Sequence, residues 1–357
     1  MHSSLSRRVL NVAVRHGLKT AACMALALTV VALVQAAPIA DTVDVKIDEW
    51  LTPSNPPYPH DPAVAPDGSI WYTGQRANVI GRFDPATQQF KEFALPTPNS
   101  GPHGLQPDKD GNIWYTGNAA SLIGKVDAKT GKVTEYKMPD PKARDPHSLV
   151  FLKDGTLLFT VQAGNFVGSL DPRAPNGNIK LVPAPTANAR PYGIRLDSKG
   201  IAWFDEFNSN KIGSIDPKTM KITEYPLPDP AARPRRIAVA KDDTVWYGDY
   251  ARGYLGHLDP TTGKVEEFAS PGGDRSRPYA IDITSDGAIW YVETGDDTNN
   301  KLVRFNPSTK KFQSFPIPSG GGTVRNMDVA RGDVLWLAES GVGKIARVTI
   351  KSAAITQ

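Results

Sequence analysis

The chain has 357 residues, of which 40% are hydrophobic and 22% are charged, so a packed core is possible and wholesale disorder is excluded. Glycine and proline number 31 each, which favours a turn-rich fold over long helices. Four of the 41 Lys and Arg residues, and no acidic residue, lie in the first 36 positions, which leaves 37 basic against 37 acidic residues. This balance excludes the basic surface expected of a protein that binds nucleic acid or anionic lipid.

The first 36 residues show the pattern of a secretory signal. Four basic residues precede an apolar run of 14 residues at 21–34, and small side chains follow up to Ala36. As a helix this run would span about 21 Å, less than the roughly 30 Å of a bilayer core, so we expect cleavage rather than a membrane anchor. We predict a signal peptide at residues 1–36 and a periplasmic or secreted single domain at residues 37–357. The export route stays open, because Arg7-Arg8 partly matches a twin-arginine signal.

Tryptophans that follow a turn recur about every 44 residues. Successive spacings are 43, 44, 45, 43, 44 and 46, with a leucine at the third place. These markers are Trp71, Trp114, Leu158, Trp203, Trp246, Trp290 and Trp336. A second set of markers, mostly prolines, has the same period: Pro59, Pro102, Pro146, Pro191, Pro234, Pro278 and Val324. Two independent markers with one period predict seven repeated units.

Each unit is predicted to contain four short strands. In the second unit, apolar alternation between turn residues predicts strands near 104–106, 113–116, 122–126 and 132–136. Four strands in each of seven units predict an all-β fold, a seven-bladed β-propeller.

The last unit ends near Ile350 after three strands, so its fourth strand is expected from elsewhere in the chain. Residues 46–53 match residues 132–139 and 221–228, which belong to the fourth strands of other units. We therefore predict that the N-terminal strand pairs into the last blade and closes the ring, which leaves no free sheet edge between the first and last blades.

The residue after each marker of the second set begins the inner strand, where the blades converge on the ring axis. Three of the four histidines beyond residue 37 fall at this position, and the fourth, His257, is expected on the surface. These residues predict either a polar, water-filled funnel whose histidines only hydrogen-bond to their neighbours, or a small-molecule or catalytic site on the axis. We favour the second, because exposed histidines act as bases or metal ligands. The seven axial residues are His60, His103, His147, Tyr192, Arg235, Tyr279 and Arg325.

A second set of polar residues lies at the ends of the second strands. Its acids belong to the later units and the axial histidines to the earlier ones, so acids and bases could face each other across the ring. The sequence leaves open whether both sets lie at the same end of the propeller. The members are Gln75, Asn118, Gln162, Asp205, Glu206, Asp249, Glu293 and Glu339.

Short motifs recur through all seven units: P-H-G-[IL], W-[FY]-T, I-G-[KR]-[IVL]-D and K-[IV]-T-E-Y-x-[LM]-P. In these motifs the sequence resembles the virginiamycin B lyase (streptogramin lyase) family. The resemblance implies a propeller enzyme that opens the lactone of a cyclic depsipeptide by elimination, assisted by Mg²⁺.

The resemblance also implies roles for individual residues. The family has P-H on one blade, then E-P-H and a later Glu on the next, and the best match here is His103 followed by Asp145, His147 and Gln162. His147 would then be the catalytic base, and Asp145 and Gln162 the metal ligands. This chain has Asp and Gln where the family has Glu, and carries the motifs on the second and third blades rather than the last two. The resemblance makes His103 a substrate contact, and the axial position adds His60, Tyr192, Arg235, Tyr279 and Arg325 as candidate substrate contacts.

Two alternatives to a lyase stay open. The same funnel could bind a small molecule or a partner protein without catalysis. Alternatively, His60, His103 and His147 could form a facial metal triad for hydrolysis or redox chemistry. We expect a monomer in each case.

Overall fold

Seven four-stranded antiparallel sheets follow one another along the chain, as shown by a computed structural model that describes residues 39–296 and 298–352. The predicted signal peptide lies outside the described residues. Within them, the one helical segment is a short 3₁₀ turn at Pro175–Asn178. No helix in this part of the chain has the length and apolarity needed to cross a membrane.

Blades 1 to 7 are numbered in chain order, and each begins with its inner strand. The inner strands are Pro59–Val64, Pro102–Pro107, Pro146–Phe151, Pro191–Leu196, Pro234–Val239, Pro278–Ile283 and Val324–Ala330. The second strands are Ile70–Gly74, Ile113–Gly117, Leu157–Val161, Ala202–Glu206, Val245–Asp249, Ile289–Glu293 and Val334–Glu339.

The remaining two strands of each blade lie farther from the axis. The third strands are Val79–Asp84, Leu122–Val126, Phe166–Leu170, Lys211–Asp216, Tyr254–Asp259, Lys301–Asn306 and Lys344–Ser352. The outer strands are Gln89–Ala94, Val133–Lys137, Lys180–Pro183, Lys221–Pro226, Lys264–Ala269, Lys311–Pro316 and, in blade 7, Val43–Leu51. The predicted all-β, seven-bladed fold is confirmed, and the predicted strands of the second unit agree with the observed ones to within two residues.

The inner strands form a closed ring. Each one contacts the inner strands of both neighbouring blades, and that of blade 7 contacts that of blade 1. Strand Val43–Leu51 pairs antiparallel with Lys344–Ser352 along its whole length of nine residues, from Val43 opposite Ser352 to Leu51 opposite Lys344. The predicted closure by the N-terminal strand is therefore confirmed.

Apolar side chains fill the spaces between neighbouring blades. Blades 7 and 1 enclose one such cluster, in which Trp50 packs with its ring centroid 5.0 Å from Phe83 and 5.9 Å from Trp336. Because each blade buries one face against the next, the core of this fold is distributed around the ring.

The W-[FY]-T and I-G-[KR] motifs occur together because they face each other across a strand pair. Tyr72 on the second strand lies opposite Gly81 on the third, and Tyr115 lies opposite Gly124. A Cβ on either glycine would come within 2.0 Å of the tyrosine ring. The glycine therefore provides the space in which the aromatic ring packs.

Candidate functional site

Both predicted sets of polar residues lie at one end of the ring. In every blade the first residue of the inner strand pairs with the last residue of the second strand, for example Pro59 with Gly74 and Pro191 with Glu206. We call this the proline end. The question that the sequence left open is thus answered, because the axial residues and the second set begin from the same end.

Threonines of the W-[FY]-T motif hold the inner strands in register with one another. The Thr73 hydroxyl accepts a hydrogen bond from the Asp61 amide (3.0 Å) and donates one to the His103 carbonyl of the next blade (2.9 Å). Thr116 similarly donates to the His147 carbonyl at 2.8 Å. Two of the axial histidines are therefore positioned by the preceding blade.

The axial histidines form a continuous stack. Ring centroids are 3.7 Å apart between His60 and His103, 3.8 Å between His103 and His147, and 3.6 Å between His147 and Tyr192. The Tyr192 hydroxyl then forms a short hydrogen bond with the Tyr279 hydroxyl two blades away. The stack and this hydrogen bond thus bring together five of the seven predicted axial residues, and Arg235 joins them through hydrogen bonds to Tyr192.

The histidines of this stack are buried, with exposed fractions of 3% for His60, 4% for His103 and 1% for His147. The expected water-filled funnel with exposed histidines is wrong at this level of the axis, because the seven converging strands bring the rings into contact. Burial lowers the pKa of each imidazole well below 6.5, and nearby charged groups that include Arg236 contribute to this shift. All three histidines are therefore neutral at pH 7.

A second layer of axial residues lies directly beneath the stack. Arg236 binds both carboxylate oxygens of Asp61 (2.7 and 3.0 Å) and the Ser148 hydroxyl (3.0 Å), and Asn326 donates to Asp61 at 3.0 Å. These contacts join blades 1, 3, 5 and 7 across the axis. The layer also fixes two histidines, because the Nδ1 atom of His60 lies 2.8 Å from Asp61 and that of His147 lies 3.0 Å from Ser148.

Sequence reasoning missed this second layer because a regular strand alternates its side chains between two faces. Each inner strand has an irregular register near its start, between Pro59 and Pro62 in blade 1 and between Arg235 and Ile237 in blade 5. This bulge lets two consecutive residues, such as His60 and Asp61, reach the axis. The recurrence of polar residues immediately after the axial position was the available indication.

One cluster in residues 39–296 and 298–352 has the composition of a metal site. The candidate ligand atoms of His60, Asp61 and His103 all lie within 4.8 Å of one another. Asp61, however, already forms a two-pronged ion pair with Arg236, whose positive charge opposes a bound cation. His147 is not a member of the cluster, so the geometry does not support the facial triad of His60, His103 and His147.

The predicted metal ligands Asp145 and Gln162 fit magnesium poorly. The Asp145 carboxylate accepts a hydrogen bond from the Asn118 side chain at 2.7 Å, and burial raises its pKa to about 6 although Arg190 opposes this. Gln162 is neutral, and its backbone amide donates to the Asp145 carbonyl at 2.8 Å. A single hydrogen-bonded carboxylate near a guanidinium is a weak donor set for a small divalent cation.

Asp145 lies two residues before His147, a spacing that in a regular strand would put both side chains on one face. Asp145 precedes the strand and has a φ of 65°, in the left-handed region. The two side chains are therefore not related by strand geometry.

Four acids of the second set bind residues of the loops at the proline end. Glu206 binds Ser209, Glu293 binds Ser270, Glu339 binds Ser319 and Asp249 binds Arg252. The expected wall of acids facing the histidines is therefore wrong. These carboxylates instead hold the loops that surround the axis.

Arg235 lies inside an aromatic enclosure that the sequence did not reveal. Its guanidinium carbon is 3.9 Å from the ring centroid of Tyr279, 4.5 Å from Tyr250, 4.6 Å from Phe207 and 5.2 Å from Tyr192. Tyr192 also accepts hydrogen bonds from Arg235 at 3.2 and 3.3 Å. Such contacts stabilise a cation without neutralising it.

The last predicted axial residue, Arg325, donates to the Tyr58 hydroxyl at 2.7 Å. His257 lies on a third strand, away from the axis, where it is half-buried and stacks on Trp246 with ring centroids 4.3 Å apart. It is therefore not part of the site.

Comparisons with known proteins identify the relatives of this chain. Virginiamycin B lyase from Staphylococcus aureus superposes with a TM-score of 0.78 and 28% identity, over 86% of this chain and 99% of that one. A streptogramin B lyase structure has a TM-score of 0.77 and 28% identity, over 86% and 98%. A catalytically inactive histidine-to-alanine variant of the S. aureus enzyme, determined with quinupristin, gives a TM-score of 0.77 and 28% identity over 86% and 99%.

More distant similarity concerns the fold alone. Hydrazine synthase of Kuenenia stuttgartiensis superposes with a TM-score of 0.67 at 14% identity, over 86% of this chain and 98% of that one. Curated protein sequences give no significant match. A model of the virginiamycin B lyase family matches residues 16–262, more than half of the sequence, so the chain belongs to the virginiamycin B lyase family.

Proposed function

We propose that this protein is a lyase that opens an ester or lactone of a small molecule by elimination at the proline end of the ring axis. A base removes the proton from the carbon next to a carbonyl, the bond from the adjacent carbon to the ester oxygen breaks, a carbon–carbon double bond forms, and the acid part leaves as a carboxylate. The observation that carries the proposal is the stack of three neutral histidines beside the tyrosine pair and Arg235. Neutral imidazole is the form that accepts a proton.

Two histidines of the stack are candidates for the base. Family resemblance favours His147, whose Nδ1 atom faces the Ser148 hydroxyl, a group that can donate or accept. The hydrogen bonds favour His60, because its Nδ1 atom faces the carboxylate of Asp61, which only accepts. Nδ1 of His60 therefore carries the proton and Nε2 has a free electron pair, the arrangement that a general base requires.

The developing negative charge on the carbonyl oxygen needs positive charge and hydrogen-bond donors. Arg235 supplies the charge, and the Tyr192–Tyr279 pair next to it can supply one hydroxyl donor, because the other hydroxyl proton lies between the two oxygens. Burial opposes ionisation of Tyr279, but Arg235, Arg236 and Arg325 outweigh it and lower the pKa of this hydroxyl, which makes it a stronger donor. No step of this proposal uses magnesium, which stays a prediction to be checked by metal analysis.

We also propose that the protein acts outside the cytoplasm after removal of residues 1–36. The composition of this segment supports the proposal. Intact-mass measurement of exported material should give a chain that begins at Ala37 or Pro38. Exported material that retains residues 1–36 would contradict it.

The enzymatic proposal is tested with quinupristin as substrate. Elimination opens the ring without a change in mass, whereas hydrolysis adds one water, so mass spectrometry separates the two. We expect isomerisation by the natural chain, loss of turnover in His60→Gln or His147→Gln, and normal turnover in the control His257→Gln. The rate should stay constant as the pH is lowered to 6.5, because the base protonates only below that value.

Several outcomes would contradict the proposal. A product with one added water would show a hydrolase. Unchanged turnover in both histidine variants would remove the base from the stack. Tight binding of quinupristin without any reaction would favour the non-catalytic alternative.

A further inference from the structure

We propose that the proline end of the axis recognises a carboxylate on the ligand, held by Arg235 and Arg325. This inference rests on the proposed function for the position of the site, and it adds the substrate class.

The axial arginines differ in whether an acidic side chain neutralises them. Arg236 is neutralised by Asp61, but no carboxylate in the described part of the chain lies within 4.0 Å of the guanidinium of Arg235 or Arg325. Their side-chain partners are tyrosine hydroxyls, and the buried Nε atom of Arg325 has no hydrogen-bond partner among the described residues. A partly buried cation without a counter-charge is costly unless a ligand supplies the charge.

The surroundings of these two residues contain both basic and acidic side chains. The loops at the proline end carry further arginines, which immediately precede inner strands or follow a second strand: Arg76, Arg144, Arg190, Arg233 and Arg277. Of the acids at the same end, Glu206, Asp249, Glu293 and Glu339 bind loop residues, and Asp145 accepts a hydrogen bond from Asn118. Residues 37–357 carry 37 basic and 37 acidic groups, so the uncompensated charge of Arg235 and Arg325 is a local feature and not a consequence of overall charge.

The groups around the axis indicate the chemistry of the ligand. A guanidinium is planar and matches the two oxygens of a carboxylate. The Tyr58 hydroxyl accepts from Arg325 and the Tyr192 hydroxyl accepts from Arg235, which leaves the proton of Tyr58 and one proton of the Tyr192–Tyr279 pair to donate to a carboxylate. Phe207 and Tyr250 line the Arg235 enclosure with apolar surface, which favours an organic acid over a hydrated inorganic anion.

The test is equilibrium binding of three probes to the intact protein, measured by calorimetry in the absence of turnover. Benzoate carries a carboxylate on a flat apolar body, benzamide is its neutral counterpart, and inorganic phosphate is a hydrated oxyanion. We expect benzoate to bind and benzamide and phosphate to bind at least about tenfold more weakly, the difference expected for loss of a charged hydrogen bond. Equal binding of benzamide or phosphate, or no binding of benzoate, would overturn the proposal.

Matched variants locate the site. Arg235→Gln and Arg325→Gln should each weaken benzoate binding about tenfold or more. The control Arg331→Gln removes the same charge from an exposed turn after the inner strand of blade 7, at the opposite end of the ring, and should bind like the natural chain. Equal loss in the control would show a non-specific charge effect and overturn the proposal.

The outcome is separable from that of the lyase proposal. His147→Gln should lose turnover of quinupristin but bind benzoate normally, since binding does not require a base. Benzoate binding that depends on Arg235, in a protein without lyase activity, would support the carboxylate site and reject the catalytic role. Lyase activity without benzoate binding would support the catalytic role and reject the carboxylate site.

Discussion

Asp205 stands in blade 4 where blades 1 to 3 have the threonines that hold the inner strands. Its Oδ1 atom accepts a hydrogen bond from the Gly193 amide at 2.9 Å, while its buried Oδ2 atom has no partner among the described residues. Burial raises the pKa of this carboxyl to about 8, although Arg236 opposes the shift. Asp205 is therefore protonated at pH 7 and carries a hydroxyl, as a threonine does.

Replacing Asp205 with threonine should make stability less sensitive to pH. The unfolded chain loses the Asp205 proton above about pH 4, whereas the folded chain keeps it up to about pH 8, so the natural protein loses stability as pH rises through this range. We expect the free energy of unfolding of Asp205→Thr to rise, relative to that of the natural chain, by roughly 1 kcal/mol for each pH unit. Urea unfolding at pH 5 and pH 8 measures this.

A matched control for this experiment is the exposed loop residue Asp274. Asp274→Thr should change the free energy of unfolding equally at both pH values. A parallel pH dependence in Asp205→Thr and the natural chain would show that Asp205 is ionised in the fold.

For individual residues, the place in the repeat was predictable from the sequence, but the burial and the contacts of the side chain were not. The spacing of the markers located all seven axial residues, because a repeat assigns the same place to every blade. The burial of His60, His103 and His147, and the pairing of Asp61 with Arg236, depend on side chains from blades distant in sequence. No local pattern contains that information.

At the scale of strands, the pairing of an aromatic residue with a glycine sets the packing inside a blade. Phe159 lies opposite Gly168, and a Cβ on this glycine would come 2.3 Å from the phenylalanine ring. In blade 7 the corresponding pair is Leu337 opposite Ala346. Replacing both residues of the Phe159–Gly168 pair by those of the Leu337–Ala346 pair should therefore keep the space between the two strands filled.

Gly168→Ala should destabilise the protein by about 1–3 kcal/mol through overpacking. Phe159→Leu alone should also destabilise it, because it leaves a cavity. The double variant copies blade 7, so we expect it to be more stable than the sum of the single changes. A double-mutant cycle in urea measures the coupling, and strict additivity would contradict this account.

The strands themselves were predictable to within two residues because turn residues and alternation are local. The bulge that brings Asp61 and Arg236 to the axis was not, since it interrupts the alternation on which strand reasoning depends. For the same reason, strand alternation does not relate the side chains of Asp145 and His147, because Asp145 precedes the strand.

For the whole molecule, closure by strand Val43–Leu51 determines whether the ring is continuous. Besides its backbone pairing, this strand contributes Trp50 to the core and forms ion pairs from Asp48 to Arg347 and from Glu49 to Lys344, both at 2.8 Å. Trp50→Ala should cost about 3 kcal/mol, whereas the exposed neighbour Leu51→Ala should cost much less.

Deletion of residues 42–53 should lower the melting temperature of the entire ring in a single transition. The reason is that blade 7 would lose its outer strand and expose the cluster between blades 7 and 1. Calorimetry measures the transition. A truncated protein that melts within a degree or two of the natural chain would contradict the role of closure.

The closed ring of inner strands also gives the site rotational pseudosymmetry. Seven backbone positions converge on one centre, so a base supplied by blade 1 or blade 3 reaches the same place as one supplied by blade 6. In blade 6 of this chain the corresponding residues are Arg277, Pro278 and Tyr279, with Glu293 at the end of the second strand. Two members of this family are therefore best compared after one ring is rotated onto the other by whole blades, so that residues at the same depth along the axis are matched.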